Sequence, residues 1–441
     1  MDFSKSCFRV LLLLTIGMPN VVLADVVQDC LKKNGNEAVR ACTDAIRQGK
    51  GSGWPQYFNR GLAYQRMGDV DHAIGDYSQT IAINPKYSDA YNNRGMLYEG
   101  KGDLDRAMSD YDQAIALNPQ SAVAFSNRGN TYKEKGDPGR AIADYSQAIA
   151  INPKFANPYN NRGGAYKDKN DLDRALDDFN HAIALNPQFA FAYSGRGNVY
   201  LARGQFDQAI AEYNQAITFD PTYANAYDNR GHAYQDKGDF DRAIADFSEA
   251  IRLKPDFMNP YNNRGFAYQA KGDLDHAILD YDQAISINAK VAVVYLNRGI
   301  ANLYAGSLPR ALSDIDHAHE LDPKDGDILL WLEIVGDRSG LASRLAQSTS
   351  QIDMSKWPAP VIRLFLGQLT KEAVMAAAED PSATTKNNQV CHANFYIGEL
   401  ALSKNAKDEA TRLFRSVDVC AKTSTVWPSA RSELKSLEAN R

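Results

Sequence analysis

Cysteine is scarce in this chain of 441 residues, at five, and histidine is hardly commoner, at seven. Apart from His392 beside Cys391, no histidine lies near a cysteine pair expected to stay in the mature chain, which leaves a zinc site of the usual Cys/His kind short of ligands. His317 and His319 stand two apart on an expected helix and so point away from each other. The chain also lacks HExxH, GxSxG and a glycine-rich phosphate loop after a strand, which removes the enzyme classes built on those motifs. Positive charge is not in excess either: 49 Lys and Arg stand against 54 Asp and Glu, a net charge of −5. Such a balance does not suit nucleic acid. Adjacent acids such as Asp177 and Asp178 read as solvated surface charge. No enzyme, metal or cofactor is expected.

Long apolar runs are missing as well. The one at Val10–Ile16 is too short to span a membrane. It follows Lys5 and Arg9 and precedes Val22-Leu23-Ala24, the layout of a secretory signal peptide cut after Ala24. Cys7 comes before the apolar stretch and no cysteine stands directly after the cut, so no lipid anchor is expected. The membrane is then met only through the cleaved signal, and the mature protein is periplasmic or secreted. Export gives the remaining cysteines a meaning, because an oxidising compartment favours disulfides. Cys30, Cys42, Cys391 and Cys420 fall in two distant clusters. Pairs Cys30–Cys42 and Cys391–Cys420 are expected, although four cysteines allow three connectivities.

What the chain has in abundance is repetition. Arg60-Gly61 returns at 94, 128, 162, 196, 230, 264 and 298, a step of 34 residues. A proline keeps the same step at Pro85, Pro119, Pro153, Pro187, Pro221, Pro255 and Pro323, with Ala289 out of line. A fixed period in this range means stacked supersecondary units that cannot bury their apolar faces alone. With Trp54 as the first place of a frame, the second unit puts Tyr91, Gly95 and Tyr98 on one helical face. Gly102-Asp103 breaks that helix and caps the next. Ala107, Tyr111, Ala114 and Ile115 form a second face before Asn118-Pro119 ends it. Tyrosine, glycine, tyrosine, alanine, aromatic, alanine and proline at these places resemble the tetratricopeptide repeat. The resemblance runs from Trp54 to Asp325, eight repeats and sixteen helices. It implies an all-α, right-handed superhelical solenoid with degenerate capping repeats and a small helical C-terminal region.

Two ladders accompany the repeats. The arginine at the seventh place travels with an acid at the twenty-third, from Asp76 to Asp314, and reads as an exposed interhelical ion pair of about 0–1 kcal/mol. A cationic ligand-binding stripe is its functional alternative. At the sixth place stand Asn59, Asn93, Asn127, Asn161, Asn229, Asn263 and Asn297, interrupted by Gly195, which leaves room for a bulky side chain. Asn92, Asn160 and Asn262 precede three of them. The resemblance implies that these places line the concave groove, an asparagine-lined trough able to grip an extended peptide of a partner protein. Asparagines that merely satisfy their neighbours are the alternative. Toward the eighth repeat the groove places turn apolar, with Phe266, Leu296, Ile300, Leu303 and Tyr304. They read either as a docking pocket or as a surface covered by the C-terminal helices.

The flanks follow from the same frame. Residues 1–24 are the signal, and 25–53 a half-repeat cap whose Ala38-Val39, Cys42 and Ala45-Ile46 match a second helix. Residues 326–390 form a degenerate helical region, with a helix over 361–380 broken near Gly367–Thr370 and a polar loop over 381–388. Residues 391–441 hold a degenerate ninth repeat, with Gly398, Ala410 and Phe414 in its small and aromatic slots, and a capping helix from Ser429. This layout is similar to that of bacterial envelope proteins related to the NlpI lipoprotein, without their lipid-anchoring cysteine. It implies an adaptor that brings envelope enzymes to their substrates. A self-associating, homo-oligomeric scaffold is the alternative. Asparagine-laddered glycosyltransferases carry a further catalytic domain that has no counterpart here.

Overall fold

The computed structural model describes residues 35–47, 53–422, 424 and 426–439. The expected signal peptide and Cys30, and with it the Cys30–Cys42 pair, lie outside the described residues. Those described form 24 α-helices and no strand. The chain divides into two compact units, one up to Val199 and one from Tyr200.

The first unit opens with α1 (Gly35–Arg47), whose buried Ala38, Cys42 and Ala45 pack on the first full repeat. Consecutive pairs follow: α2 (Trp54–Arg66) with α3 (Val70–Ile83), α4 (Ser88–Gly100) with α5 (Leu104–Leu117), α6 (Ala122–Glu134) with α7 (Pro138–Ile151), and α8 (Ala156–Asp168) with α9 (Leu172–Leu185). The unit boundary falls inside α10 (Ala190–Ala202). Local chemistry fixes each hairpin. Gly102 takes the left-handed backbone that ends α4, at φ 77°, and Asn170 takes it after α8 at 59°, as glycine and asparagine do most readily. Asp103 then accepts the Arg106 amide at 3.1 Å and caps α5, a contact whose loss costs about 1 kcal/mol. Ala107 and Tyr111 are fully buried between the two helices. A Cβ on Gly95 would come within 2.9 Å of the Tyr111 ring, so the close crossing needs the glycine.

The second unit continues with α11 (Phe206–Phe219), α12 (Ala224–Asp236), α13 (Phe240–Leu253), α14 (Met258–Lys271), α15 (Leu274–Ile287), α16 (Ala292–Tyr304) and α17 (Leu308–Leu321). Beyond the repeats lie α18 (Gly326–Arg338), the single turn α19 (Leu345–Ser348), α20 (Ala359–Phe365), α21 (Lys371–Ala377), α22 (Ala383–Ser403), α23 (Lys407–Ser416) and α24 (Val426–Ala439). The expected break in the helix over 361–380 is the gap between α20 and α21, where Gly367 is left-handed and Thr370 caps α21. The expected loop over 381–388 is corrected: from Ala383 it is already α22, because Ser382 caps it by accepting the Thr385 amide at 3.4 Å. Gly398 lies against the Phe414 ring. Cys391 and Cys420 are bonded, with Cα atoms 6.1 Å apart. Trp331, Phe395, Tyr396 and Phe414 pack in tilted and edge-on contacts within a large apolar core joining α16 and α17 to the helices after them. No described helix is long and apolar enough to cross a membrane.

Candidate functional site

In the first unit α4, α6 and α8 touch in succession, and in the second α12, α14 and α16 do, whereas the second helices of the repeats make no comparable contact with each other. The first helices are therefore the inner layer of each unit, and the asparagines sit on them.

The amides meet one another. In the first unit Asn127 donates from Nδ2 to Oδ1 of Asn92 at 3.0 Å, and Asn92 donates to Asn93 at 3.3 Å. Asn160 donates to Asn161 at 2.9 Å, and Asn161 to Asn130 at 2.9 Å. The Tyr145 hydroxyl donates to the same Asn130 oxygen at 2.8 Å. Asn161 reaches Asn130 where Ser126 stands in place of the preceding amide. In the second unit four side chains form one run: Asn297 to Asn262 at 3.0 Å, Asn262 to Asn263 at 3.4 Å, and Asn263 to the Asp228 carboxylate at 3.0 Å. Burial pushes the Asp228 carboxyl up, with His232 and the Asn263 bond pulling the other way. Among the described residues, Asn59 and Asn229 make no side-chain hydrogen bond. The neighbour-satisfying alternative thus describes part of the ladder. A carboxamide still has two N–H groups and two acceptor sites, and these bonds engage only some of them.

One expectation about the groove is corrected, and one pair of alternatives is decided. Gly195 leaves no room for a partner's side chain, because a Cβ there would lie 2.3 Å from the Phe179 ring. That ring, itself buried, fills the missing rung. Nor are Phe266, Leu296, Ile300 and Leu303 an open pocket, since they are 6%, 5%, 1% and 7% exposed. Leu296, Ile300 and Leu303 belong to one core with Trp331, Val426 and Trp427. The helices that follow the repeats fold back over them and bury them.

The arginine ladder is a structural device. Arg94 donates through Nε and Nη2 to both oxygens of Asp110, each at 2.8 Å, and through Nη1 to Ser78 at 3.0 Å. The two-pronged grip on the acid recurs for Arg60–Asp76, Arg128–Asp144 and Arg162–Asp178, and in the second unit for Arg230–Asp246, Arg264–Asp280 and Arg298–Asp314. The third contact always goes to the second helix of the preceding repeat, at Ser146, Asn180, Ser248 or Asp282 for example. Sequence reasoning missed it, although a short polar residue recurs two places after each acid. The pairs are not exposed as expected: the Asp110 side chain is 6% accessible and that of Arg94 19%. Tyr91 and Tyr98 also flank Arg94 at 5.8 and 5.9 Å. Engaged on all sides, these arginines are not a ligand-binding stripe.

One inner-face acid stands apart. Glu99 accepts from the Tyr111 hydroxyl at 2.8 Å and from Thr131 at 3.2 Å. Burial pushes its carboxyl up to about 7 against both hydrogen bonds. No group of three or more metal-ligating side chains occurs among the described residues.

Comparison with known proteins finds repeat families throughout this region. A model described as TPR repeat matches residues 129–170, 197–238 and 231–272. One described as Tetratricopeptide repeat matches 54–87, 88–121, 156–189 and 259–290, and another so described matches 110–143 and 179–211. No curated protein matches the chain. Among solved structures, the chain is similar to a tetratricopeptide repeat protein from Parabacteroides merdae, at 22% identity over 57% of this chain and 99% of that one, TM-score 0.48. It is similar to MamA at 31% identity over 36% and 94%, TM-score 0.32. It is also similar to YrrB, a TPR protein with an unusual peptide-binding site, at 24% identity over 42% and 95%, TM-score 0.33.

Proposed function

Because the chain belongs to the tetratricopeptide repeat family, we propose that it is an exported, non-catalytic adaptor that holds an extended segment of a partner protein on the inner face of its first unit. The observation that carries this reading is the row of half-buried amides at Asn93, Asn127 and Asn161, on helices that touch in succession from α4 to α8, with half-buried Asn59 at the equivalent place on α2. Helices pack about 8–10 Å apart and an extended chain rises about 3.3 Å per residue, so one rung meets each third residue. An amide pairs with the C=O and N–H of a peptide unit whatever the side chain. Recognition of this kind gives affinity with little sequence preference. In the second unit the inner places of the last repeats are already covered, which confines the partner to the first. The signal-like N-terminal pattern and the even, clustered cysteines support work in the cell envelope or outside the cell.

The test compares proteins retained from an envelope extract by the wild type and by a variant carrying Asn93→Ala, Asn127→Ala and Asn161→Ala. Partners held by the first and lost by the second, with helical content unchanged, support the reading. Equal retention overturns it.

A further inference from the structure

The inner face of the last three repeats is not bare; it holds a helix. Val426 and Trp427, at the start of α24, are buried. The Trp427 ring centroid lies 5.7 Å from that of Phe240, the first residue of α13. Lys422 and Arg431 lie over the same indole at 4.4 and 4.8 Å. From there α24 packs on α14, and its apolar side shares a core with Ala270, Leu296, Ile300 and Leu303. The first two of these lie on α14 and α16, so a single amphipathic helix covers the inner layer of neighbouring repeats.

Its polar side meets Arg415 of α23, 3.4 Å from Glu438, and more deeply the cation of Arg338. Arg338 on α18 donates to Glu433 of α24 at 2.8 Å and to Glu399 of α22 at 2.5 Å. Two buried carboxylates share this guanidinium, and burial together with Glu433 drives the Glu399 carboxyl toward its neutral form. Among the described residues, Glu399 Oε1 and Trp427 Nε1 are buried without a hydrogen-bond partner. Native interiors rarely leave such atoms unpaired, so this seat is incompletely satisfied by its own helix. The covalent tie is also slight. The Cys391–Cys420 bond anchors the chain six residues before α24 begins.

We propose that the inner face of the last three repeats is a binding site for an amphipathic helix, occupied in cis by α24. The partner that fits is a helix with a tryptophan near its start, basic residues flanking that ring, and a glutamate six residues further on to meet Arg338. Such a helix competes with α24 for the seat. The site is independent of the asparagine ladder in the first unit, so either can fail without the other.

The test keeps the full chain and inserts a protease site between Ala421 and Lys422, which turns α24 into a non-covalent peptide after cleavage. The probe is a fluorescein-labelled synthetic peptide of residues 422–441. Saturable uptake by the cleaved protein, at least tenfold weaker for peptides carrying Trp427→Ala or Glu433→Ala, is the expected result. The remainder keeps its helical circular dichroism while the peptides exchange. Three outcomes overturn the proposal: a cleaved protein that takes up no labelled peptide, a remainder that unfolds when α24 leaves, or equal uptake by the uncut chain.

Discussion

Asn297 donates a hydrogen bond to the side-chain oxygen of Asn262, 3.0 Å away and 35 residues earlier in the chain. Asn127 stands in the same relation to Asn92, and Asn263 to Asp228. The ladder is therefore a seam between repeats before it is anything else. Removing a rung alters two things at once, the seam and the surface offered to a partner.

That separates the rungs experimentally. Asn127→Ala loses an inter-repeat hydrogen bond and should lower stability by about 0.5–1.5 kcal/mol in urea unfolding. Asn59→Ala, with no such bond, should leave the unfolding midpoint where it is. Partner affinity should fall for both by a similar factor. A partner insensitive to Asn59→Ala and to the triple variant would show that the amides serve the seam alone.

The arginine clamps make a sharper claim on stability. Arg94→Leu strands the buried Asp110 carboxylate, and breaking a buried pair by one partner is far costlier than losing a surface pair. A loss of about 2–4 kcal/mol is expected for this partly accessible pair. Arg94→Met with Asp110→Leu should recover much of it, since no charge is then left unpaired. Chemical denaturation of the three proteins decides the matter, and a double variant no better than the single one refutes it.

Glu99 predicts a pH dependence of definite sign. Its carboxyl is raised in the folded chain from an ordinary value of 4.5 to about 7. The folded state thus holds the proton more tightly than the unfolded one. Stability from this group is fully present below about pH 4.5 and is lost as pH rises through about 7. Glu99→Gln should remove that slope and raise stability at pH 8 by about 1–3 kcal/mol. Urea midpoints measured from pH 4.5 to 8 in both proteins provide the check.

The Cys391–Cys420 bond closes a loop with a sequence separation of 29. Replacing both residues with serine should lower the stability of the C-terminal helices by about 2–4 kcal/mol. Hydrogen exchange should speed up in α22 and α23 while α4 to α8 stay unchanged. Uniform exchange across the chain would contradict a local role.

Export has its own readout. Protein recovered from the periplasm or medium of an expressing bacterium should begin at Asp25. Peptide mapping without reductant should join Cys30 to Cys42 as well as Cys391 to Cys420. A retained Met1, or cross-pairing between the clusters, would contradict the proposal.

Much of the fold was legible because its signals repeat: Gly95 and Ala107 have equivalents in all eight repeats and Tyr111 an aromatic equivalent in seven, with Ile315 in the last, and a slot seen so often is hard to misread. The arginine–acid pair was legible for the same reason. Its burial was not, since sixteen residues of separation say which groups meet and nothing about what lies over them. The Gly195 gap misled because its filler, Phe179, comes from the preceding repeat's second helix. The helix start at Ala383 was obscured by a polar stretch whose one informative residue is the Ser382 cap. The burial of Leu296 depends on Val426 and Trp427 of α24, far away in sequence, and no local pattern carries that.

Each arginine clamp joins three helices, two from its own repeat and one from the repeat before. The seam it makes has the same chemistry wherever it recurs. A stretch of 34 residues lifted out at any phase would leave two ends that still fit each other, and one copied in would find its partners waiting on both sides. A stretch of 33 or 35 would misplace the acid, the hydroxyl and the asparagine rung together. The length of such a chain can change by whole repeats and by nothing smaller. The clamp thus makes the gene tolerant of duplication and unforgiving of small insertions within the repeats.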